Sequence, residues 1–498
     1  MRPFSKTQYV RGLSCARRLW LDRERPDLAR ERTEAEEGIL RQGDAVGRLA
    51  RELFPGGVKI RQDHRDPAGA IRATREAMAA RVPAIYEAAF QHEDILVRVD
   101  ILARNPEKTH DLIEVKSSTS IKPEHLHDVA IQKHVLTQAG IKLRRSCLAH
   151  INADYVRSSE VVNVLQLFRV VPMDKDLDPH LAAIVANMKN LRELARRGSE
   201  PDAAIGSVCK KPYGCEFRDH CWQGVDEKSI HVLGRINDKM RAALLSQGIK
   251  LLSQIPADFE LTDAQRAEAD CARAGKARLD RAHVREHLSE LKWPRYFLDF
   301  ESVGFAIPEY LRTKPYEPLT FQYSLDIQKT EGGPIEHREF LVDVRSGDPR
   351  PAVARRLAQD IGPEGSVIAY HASFERARIA DMIALVPPDI AARLQAIEAR
   401  VWDLERPFRK RWYWDPRFKG SSSIKSVLPV VVPSLDYKGL AIQGGTHAQQ
   451  AYAELLKLRL GEPRREELRH ELLAYCALDT RAMVEVLRFL ETLGRRQS

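Results

Sequence analysis

Alternating apolar and polar residues predict two adjacent strands in the first quarter of the chain. One strand covers about residues 95–102, where every second residue is apolar, which leaves the side chain of Asp100 on the opposite face. A turn-like stretch leads to a second strand over residues 111–116, in which Glu114 and Lys116 share a face. Two neighbouring strands can therefore place two carboxylates and one ammonium group together.

A polar turn follows these strands and leads into a helix predicted over about residues 123–140, which carries Asp128 and Gln132. Carboxylate oxygens are hard ligands suited to Mg²⁺. A nearby lysine can orient an attacking water and offset phosphate charge. A lone Asp followed by Glu-x-Lys occurs often by chance, and taken alone these residues favour a hairpin with a surface ion pair.

A second acidic pattern occupies the last two fifths of the chain. In the predicted strand that begins at Tyr296, Asp299 and Glu301 share one face, and like charges side by side favour a metal site. Further on, Glu375 follows a strand that leads into a helix. Tyr475 and Asp479 lie one turn apart on a long amphipathic helix predicted from about Arg465 to Leu493, so they share a helix face.

Composition narrows the class of protein. The chain has 498 residues, 43% of them apolar, which predicts about three domains and more than one core. The net charge of +9 favours polyanionic partners. No apolar run is long enough for a membrane span and the N-terminus has no apolar signal core, so we expect a cytoplasmic protein. Seven cysteines in a chain of this length do not indicate a disulfide scaffold.

Three of the cysteines cluster at Cys209, Cys215 and Cys221, and Cys15 is a fourth candidate ligand from the N-terminus. Four thiolates suit either Zn²⁺ or a [4Fe–4S] cluster, and their spacing does not separate the two. His220 is an alternative fourth ligand for zinc. The other cysteines lie singly in apolar surroundings and are expected to be packed.

Two further segments invite a nucleic-acid interpretation. Residues 230–256 predict a helix, a turn at Gly248 and a second short helix, which is typical of a helix–hairpin–helix element but equally of an ordinary helix C-cap. Residues 406–419 interleave six cations with five aromatic rings, a composition that suits phosphate contacts and base stacking. The side chains expected to contact nucleic acid are Arg409, Lys410, Arg411, Trp412, Trp414 and Lys419.

The first site resembles the core of the PD-(D/E)xK nucleases, and residues 1–225 are similar to the RecB-like group that includes the iron–sulfur exonucleases of CRISPR adaptation. The resemblance implies that Asp100, Glu114, Lys116 and Gln132 are catalytic, with Asp100 and Glu114 as Mg²⁺ or Mn²⁺ ligands. It also implies a structural [4Fe–4S] cluster on Cys15, Cys209, Cys215 and Cys221. Many relatives carry a metal-binding histidine on an early helix. This chain lacks it, and Glu37 or Asp44 is the candidate replacement.

The second site resembles the DEDD exonucleases of RNase H-like fold, in the branch whose last motif is Tyr-x3-Asp. The resemblance implies that Asp299, Glu301 and Asp479 hold two divalent metal ions and that Tyr475 orients the attacking water. Glu375 stands where that family usually has aspartate and is expected to be a further catalytic residue and metal ligand. Asp403 matches a common polar position of the family and is expected to support the site.

The chain as a whole is therefore expected to be an α/β multidomain protein. Its predicted parts are a restriction-endonuclease-like PD-(D/E)xK domain at 1–225, a helical connector at 226–290 and an RNase H-like domain at 291–498. The expected activity is metal-dependent hydrolysis of DNA, exonucleolytic on single strands or ends, in DNA repair or defence. Two alternatives remain: a nucleic-acid-binding subunit with one or both sites inactive, and an RNA 3′–5′ exonuclease.

Overall fold

The computed structural model describes residues 2–63, 65–210, 214–344 and 347–495. The chain forms two compact units, the first comprising Met1–Gln223 with Phe305–Glu317 and the second comprising Gly224–Gly304 with Pro318–Ser498. Residues 226–290, which the sequence assigns to a connector, are part of the second unit, and residues 305–317 belong to the first. The α/β multidomain class expected from the sequence is confirmed at this level.

The first unit contains a mixed sheet covered by helices. Its strands are β1 (Phe4–Ser5), β2 (Val58–Lys59), β3 (Ala84–His92), β4 (Ile95–Arg104), β5 (His110–Lys116), β6 (Leu143–Ile151) and β7 (Phe168–Pro172). Its helices are α1 (Lys6–Ser14), α2 (Ala16–Glu24), α3 (Glu34–Ala50), α4 (Pro67–Ala79), α5 (Pro123–Gln138), α6 (Val164–Leu167), α7 (Asp178–Ala195) and α8 (Arg218–Cys221). Within the described residues the strand order is β2-β3-β4-β5-β6-β7, and β1 pairs with β4.

The predicted alternation along β4 is confirmed. Every second residue from Ile95 to Ile101 is buried, whereas Asp100 is only half-buried. Strands β4 and β5 are antiparallel neighbours, with Ile101 opposite Ile113. Helix α5 then connects β5 to the parallel strand β6, as expected for a crossover between parallel strands. This arrangement places the β5 carboxylate beside β4 and under α5.

The second unit is built on a smaller mixed sheet. Its strands are β8 (Arg278–Leu279), β9 (Arg295–Val303), β10 (Leu319–Gln328), β11 (Ile335–Leu341), β12 (Ser366–Ala369), β13 (Val401–Asp403) and β14 (Tyr413–Trp414). Its helices are α9 (Asp238–Ser246), α10 (Asp263–Ala274), α11 (Arg281–Ser289), α12 (Arg350–Asp360), α13 (Ala372–Ile383), α14 (Pro388–Glu398), α15 (Arg406–Arg409), α16 (Ile424–Val431), α17 (Gly445–Leu455) and α18 (Pro463–Arg495). Across the described residues the main sheet has the order β11-β10-β9-β12-β13.

Both faces of β9 are covered, as its nearly continuous apolar sequence requires. Tyr296, Leu298 and Phe300 pack with α12, α13 and α14, whereas Phe297 packs on the opposite face with α18. Polar contacts also fix α18 against β10: Gln322 donates a hydrogen bond of 2.8 Å to the carbonyl of Leu472. The last helix is therefore held across the sheet face that carries Asp299 and Glu301.

The region before this sheet has a small apolar core of its own. Helix α9 ends before Gly248, whose φ of +75° is the left-handed conformation that favours glycine. The amide of Ile249 returns to the carbonyl of Leu244 at 3.0 Å, which closes the helix end. Gly248 thus has the geometry of a helix C-cap.

None of the described helices combines the length and the apolar composition that a membrane span requires.

Candidate active sites

Three carboxylates converge in the second unit. Asp299 and Glu301 alternate along β9 and therefore point to the same side, and α18 brings Asp479 to them from the far end of the chain. One ligand oxygen of each residue lies within 4.8 Å of the other two. This is the one group of three or more such ligands among the described residues. The convergence predicted from the sequence is confirmed for these residues.

The carboxylates disfavour one another's charge. Burial and then Asp479 raise the pKa of Asp299 well above its ordinary value. Burial and then Asp299 do the same for the pKa of Glu301. Burial also raises the pKa of Asp479, to about 6, although a hydrogen bond from Tyr437 acts in the opposite direction. Protonation of one or more of these carboxylates, or a bound cation, would relieve the repulsion among them.

Glu375 adds a fourth carboxylate at the start of α13. Its exposed fraction is 2%, and its Oε2 atom has no hydrogen-bond partner in the described structure. Burial and the charge of Asp299 raise the pKa of Glu375 well above its ordinary value. Glu375 is not part of the three-residue group. A buried carboxylate oxygen without a donor is costly, so this atom is suited to a cation or a proton.

Two side chains beside this site were missed by the sequence analysis. The hydroxyl of Tyr437 donates a hydrogen bond of 2.6 Å to Oδ1 of Asp479. The Nζ atom of Lys425 lies 5.4 Å from the ring centroids of both Tyr437 and Tyr475. Its charge lowers the pKa of Asp479, though less than burial raises it. No spacing in the sequence links Lys425 or Tyr437 to the acidic residues, so only the fold identifies them.

The first unit brings together the residues predicted on β4, β5 and α5. Asp100 accepts a hydrogen bond of 2.7 Å from the amide of Val115. Glu114 is buried, and its Oε2 accepts a hydrogen bond of 2.7 Å from Gln132. The Nζ atom of Lys116 lies 2.8 Å from Oε1 of Glu114. The glutamine of the predicted helix thus orients one oxygen of this carboxylate.

A second lysine, also missed from the sequence, contacts the same oxygen. Lys6, the first residue of α1, places Nζ 2.6 Å from Oε1 of Glu114. Burial opposes ionisation of Glu114, but the charges of Lys116 and Lys6 outweigh it and lower its pKa. Asp128 pairs with Lys116 at 2.6 Å. Burial and the charge of Glu114 raise the pKa of Asp100 to about 7.

The two candidates for a third ligand in this unit differ in their surroundings. Asp44 lines a cleft of about 250 Å³ that also reaches Asp100. Glu37 is exposed and forms an ion pair of 3.7 Å with Arg41 on its own helix. Asp44 is therefore the candidate that shares a space with Asp100.

The four predicted cluster ligands do not form a close group of sulfur atoms. Burial raises the pKa of Cys221 against the opposing effect of Arg17, and the charges of Cys15 and Cys209 add to the rise. Among the described residues no three of these sulfur atoms lie within 4.8 Å of one another. Cys215 is buried beside Phe217, and the charge of Cys221 contributes to its raised pKa. His220, the alternative zinc ligand, has Nε2 within 2.9 Å of a carboxylate oxygen of Glu200.

The predicted nucleic-acid segment is largely core, which corrects the expectation from the sequence. Trp414 is 1% exposed, and the buried Arg411 stacks on it with 3.8 Å between guanidinium and ring centroid. Arg411 also donates a hydrogen bond of 2.9 Å to the buried Glu268. The physical reason is that β14 and the turn after it pack their rings between α10 and α18, so the cations pair internally.

The remaining members of that segment differ in exposure. Arg409 pairs with Asp403 at 2.7 Å, and the supporting role of Asp403 at the acidic site stays a prediction. Trp412 is half-buried and stacks on His283 with 5.3 Å between centroids. Lys410 is exposed, and the exposed Lys419 pairs with Glu227 at 2.6 Å. Lys410 is thus the member of the segment best placed to meet a polyanion.

Comparison with known proteins adds a domain match and distant relatives. Residues 296–423 match the model of a domain of unknown function (DUF2779). This range contains Asp299, Glu301 and Glu375 but ends before Asp479.

The chain is 27% identical over 227 residues to "Uncharacterized protein UU173" of Ureaplasma parvum, covering 41% of this chain and 32% of that protein. It is 26% identical over 225 residues to "Uncharacterized protein MG366" of Mycoplasma genitalium, covering 42% and 33% respectively. The chain thus spans about a third of the length of the curated relatives it matches.

Proposed function

We propose that the protein is a divalent-metal-dependent nuclease that hydrolyses phosphodiester bonds of DNA, acting exonucleolytically on single strands or ends. The observation that carries the proposal is the convergence of Asp299, Glu301 and Asp479 within 4.8 Å. Buried carboxylates this close repel one another unless protons or cations neutralise them. Their order along the chain, with Tyr475 one turn before Asp479, is the order that the DEDD resemblance requires.

The donor set fits Mg²⁺ or Mn²⁺. All the candidate ligands are hard carboxylate oxygens, and the orphaned Oε2 of Glu375 is a further buried acceptor. Asp299, Glu301 and Asp479 would hold the ions, with Glu375 nearby. When bound, such ions activate water for in-line attack on phosphorus and neutralise the charge that develops on the phosphate.

The chain's own residues supply orientation and protons. Burial and the charge of Asp479 raise the pKa of both Tyr437 and Tyr475, so each phenol keeps its proton at neutral pH. Tyr437 and Tyr475 each donate a hydrogen bond to Asp479, and Tyr475 would in addition position the attacking water, as the resemblance implies. Lys425 is a cation beside both rings and is placed to contact a substrate phosphate.

The first unit would form a second nuclease site, of the RecB-like PD-(D/E)xK type. The order β4, β5, polar turn and α5 with its glutamine supports this assignment, as does the contact of Gln132 with Glu114. Asp100 and Glu114 would hold the metal, with Asp44 as a third ligand from α3. Lys116 would orient the attacking water. Likewise, the mixed sheet of the second unit, with acidic residues on its central strand and last helix, supports an RNase H-like domain.

Cys15, Cys209, Cys215 and Cys221 would hold a structural [4Fe–4S] cluster, with zinc as the alternative metal. The charges of Cys15 and Cys209 both act on Cys221, although Cys15 and Cys209 lie 194 positions apart in the sequence, and this supports a shared site. Such a cluster would join the two ends of the first unit and couple metal binding to its folding. Iron and acid-labile sulfide analysis of anaerobically purified protein distinguishes the cluster from zinc.

Cleavage of single-stranded DNA with different labels at its 5′ and 3′ ends tests the proposed activity. The wild type is compared with Lys116→Ala and Asp299→Ala proteins that retain metal at the cysteines, in Mg²⁺ and in Mn²⁺. The exposed Lys189 and Asp389 supply matched controls as Lys189→Ala and Asp389→Ala. We expect each site variant to lose a different product ladder while both controls cut normally. An RNA strand of the same sequence, run in parallel, identifies the preferred substrate. If the wild type binds DNA but cuts neither polymer, the nuclease proposal fails and the protein is a binding subunit.

A further inference from the structure

Two of the positions that line the cleft beside Asp100 have no side chain. They are Gly43 and Gly47, one helical turn apart on α3, and together they are called the floor of the cleft. Asp100 on β4 and Asp44 on α3 also line the cleft. A Cβ atom built on either glycine would meet nothing within 4 Å. A glycine inside a helix costs about 1 kcal/mol relative to alanine. Neither glycine is explained by close packing, so the bare helix surface is suited to close approach by something outside the chain.

Cations border this floor. Arg48 follows Gly47 on α3, and Lys59 extends from β2 on the other side. Both side chains are exposed, and within the described residues neither has an ion pair or a hydrogen bond. Arg51 and Glu87 also line the cleft, and they pair with each other at 3.3 Å. The cleft therefore offers two uncommitted positive charges at its rim.

We propose that this cleft binds the phosphodiester backbone of a nucleic-acid strand and leads it to Asp100. The inference rests on the proposed nuclease function of the first unit and adds the path of its substrate. Arg48 and Lys59 contact non-bridging phosphate oxygens, and the bare faces of Gly43 and Gly47 let the strand approach α3 closely. The recognised chemistry is a chain of phosphates, which DNA and RNA share.

Substitution of Gly47 tests whether this glycine is needed for nucleic-acid binding or for the stability of the fold. Gly47→Ala and Gly47→Leu place side chains of increasing size on the floor of the cleft, and both residues favour helix more than glycine does. We expect the melting temperature to rise or stay constant in both variants. We expect affinity for fluorescein-labelled oligothymidylate to fall at least threefold with alanine and at least tenfold with leucine. Binding is measured by anisotropy without divalent cations, so that the probe stays intact.

Removal of the rim cations tests the electrostatic part. We expect Arg48→Ala and Lys59→Ala each to weaken binding at low salt and to reduce the slope of log affinity against log salt concentration by about 0.7, the value for one phosphate contact of a single strand. Arg75→Ala on α4 and Lys189→Ala on α7, which remove exposed cations outside the cleft lining, are expected to leave the slope unchanged. An oligouridylate probe shows whether RNA uses the same path.

The outcomes distinguish this inference from the proposed function. If the wild type cuts DNA while the cleft variants bind as tightly as the wild type, the assignment of the cleft is overturned and the nuclease proposal stands. If the cleft variants lose binding but the wild type never cuts, the cleft assignment stands without the nuclease activity. A wild type that binds neither probe overturns the cleft assignment. A fall in melting temperature together with affinity in Gly47→Ala also overturns it, because the glycine would then be structural.

Discussion

Asp299 on β9 and Asp479 on α18 place carboxylate oxygens within 4.8 Å of each other, although 180 positions separate them in the chain. Local structure does not require an acidic residue at either position, because the strand and the helix would also form with an apolar residue there. The contact is set by α18, which is anchored to β10 through Gln322 and through Thr480, whose hydroxyl lies 2.8 Å from that of Ser324. Repulsion between the two carboxylates is the physical argument on which the proposed metal site rests.

Neutralising one of these carboxylates should have opposite effects on two properties: the metal-free protein should become more stable, and metal binding should weaken. We expect Asp299→Asn to raise the free energy of unfolding of the metal-free protein by about 1 kcal/mol, because it relieves repulsion within a buried acidic group. The same change should reduce the rise in melting temperature that we expect Mn²⁺ to produce in the wild type, and the remaining rise would come from the site at Asp100 and Glu114. Scanning fluorimetry with and without Mn²⁺ measures both effects. Asp389→Asn, at an exposed position on α14, is the control and should keep the Mn²⁺ response. Loss of stability in metal-free Asp299→Asn would contradict the site assignment.

The raised pKa of Asp100 predicts an unusual pH dependence. Its folded-state pKa of about 7 lies above the ordinary value of 3.8, so between these values the folded state holds a proton that the unfolded state has lost. Stability contributed by the protonated group therefore falls as pH rises from about 4 to 7, by up to about 1.4 kcal/mol per pH unit. We expect the stability of Asp100→Asn relative to wild type to increase over this range in metal-free urea unfolding. Titrating groups that do not interact with Asp100 cancel in this difference.

Asp111 provides the matched comparison for that measurement. Although burial acts against it, hydrogen bonds from Arg144 and Arg145 lower the pKa of Asp111 to about 2. Its stabilising contribution is complete above pH 4 and is lost as pH falls toward 2. The stability difference between Asp111→Asn and wild type should therefore be constant from pH 4.5 to 7. A parallel trend in both variants would show that Asp100 does not have the raised pKa.

Lys6 should contribute to the free energy of unfolding of the protein, because it is one of the two lysines that contact the buried carboxylate of Glu114. Lys6→Met leaves the buried Glu114 with Lys116 and Gln132 as its remaining partners. We expect the free energy of unfolding to fall by about 1–3 kcal/mol. The reason is that Lys6 offsets part of the cost of burying the Glu114 charge, and methionine cannot do so. Urea unfolding measures this loss, and Lys189→Met at an exposed position is the control. An effect no larger than that of the control would show that Lys116 alone balances Glu114.

Substitution of the clustered cysteines should remove the bound metal. We expect Cys15→Ser and Cys221→Ser each to lose metal at purification and to lower the melting temperature to a similar extent, because one metal site would join both ends of the unit. Cys147→Ser and Cys271→Ser alter buried thiols elsewhere and should retain the full metal content. Elemental analysis of the purified proteins measures the metal. Full metal content in Cys15→Ser would assign the site to the three clustered cysteines without the N-terminal one.

Arg411 should matter for folding and not for nucleic-acid binding. Arg411→Met leaves Glu268 charged and buried, so we expect a loss of about 3–5 kcal/mol in the free energy of unfolding. The double variant Arg411→Met with Glu268→Gln should recover much of this loss, because glutamine still accepts a hydrogen bond from the amide of Gly234. Chemical denaturation gives these values. In contrast, Lys410→Ala should leave stability unchanged, and a decrease in its affinity for nucleic acid would identify Lys410 as a surface contact.

The sequence by itself determined the local elements and the chemistry they carry. Strand alternation identified the faces of β4 and β9, because one side chain in two must face a core. The same alternation placed Glu114 beside Lys116 and Asp299 beside Glu301, and helical spacing placed Tyr475 beside Asp479. These pairs are a few residues apart, and backbone geometry alone fixes their relative directions.

Only the tertiary structure decided which distant side chains meet and which are buried. Lys6 reaches Glu114, and Lys425 and Tyr437 reach the second site, through packing between elements that no local period describes. The basic and aromatic segment shows the same limit, because its composition suits either a surface or a core. Apolar area buried against α10 and α18 placed Trp414 inside, and Arg411 followed it because Glu268 was there to pair with it. Contacts between residues that are close in the sequence can be predicted from backbone geometry, whereas the burial of a side chain depends on the whole fold.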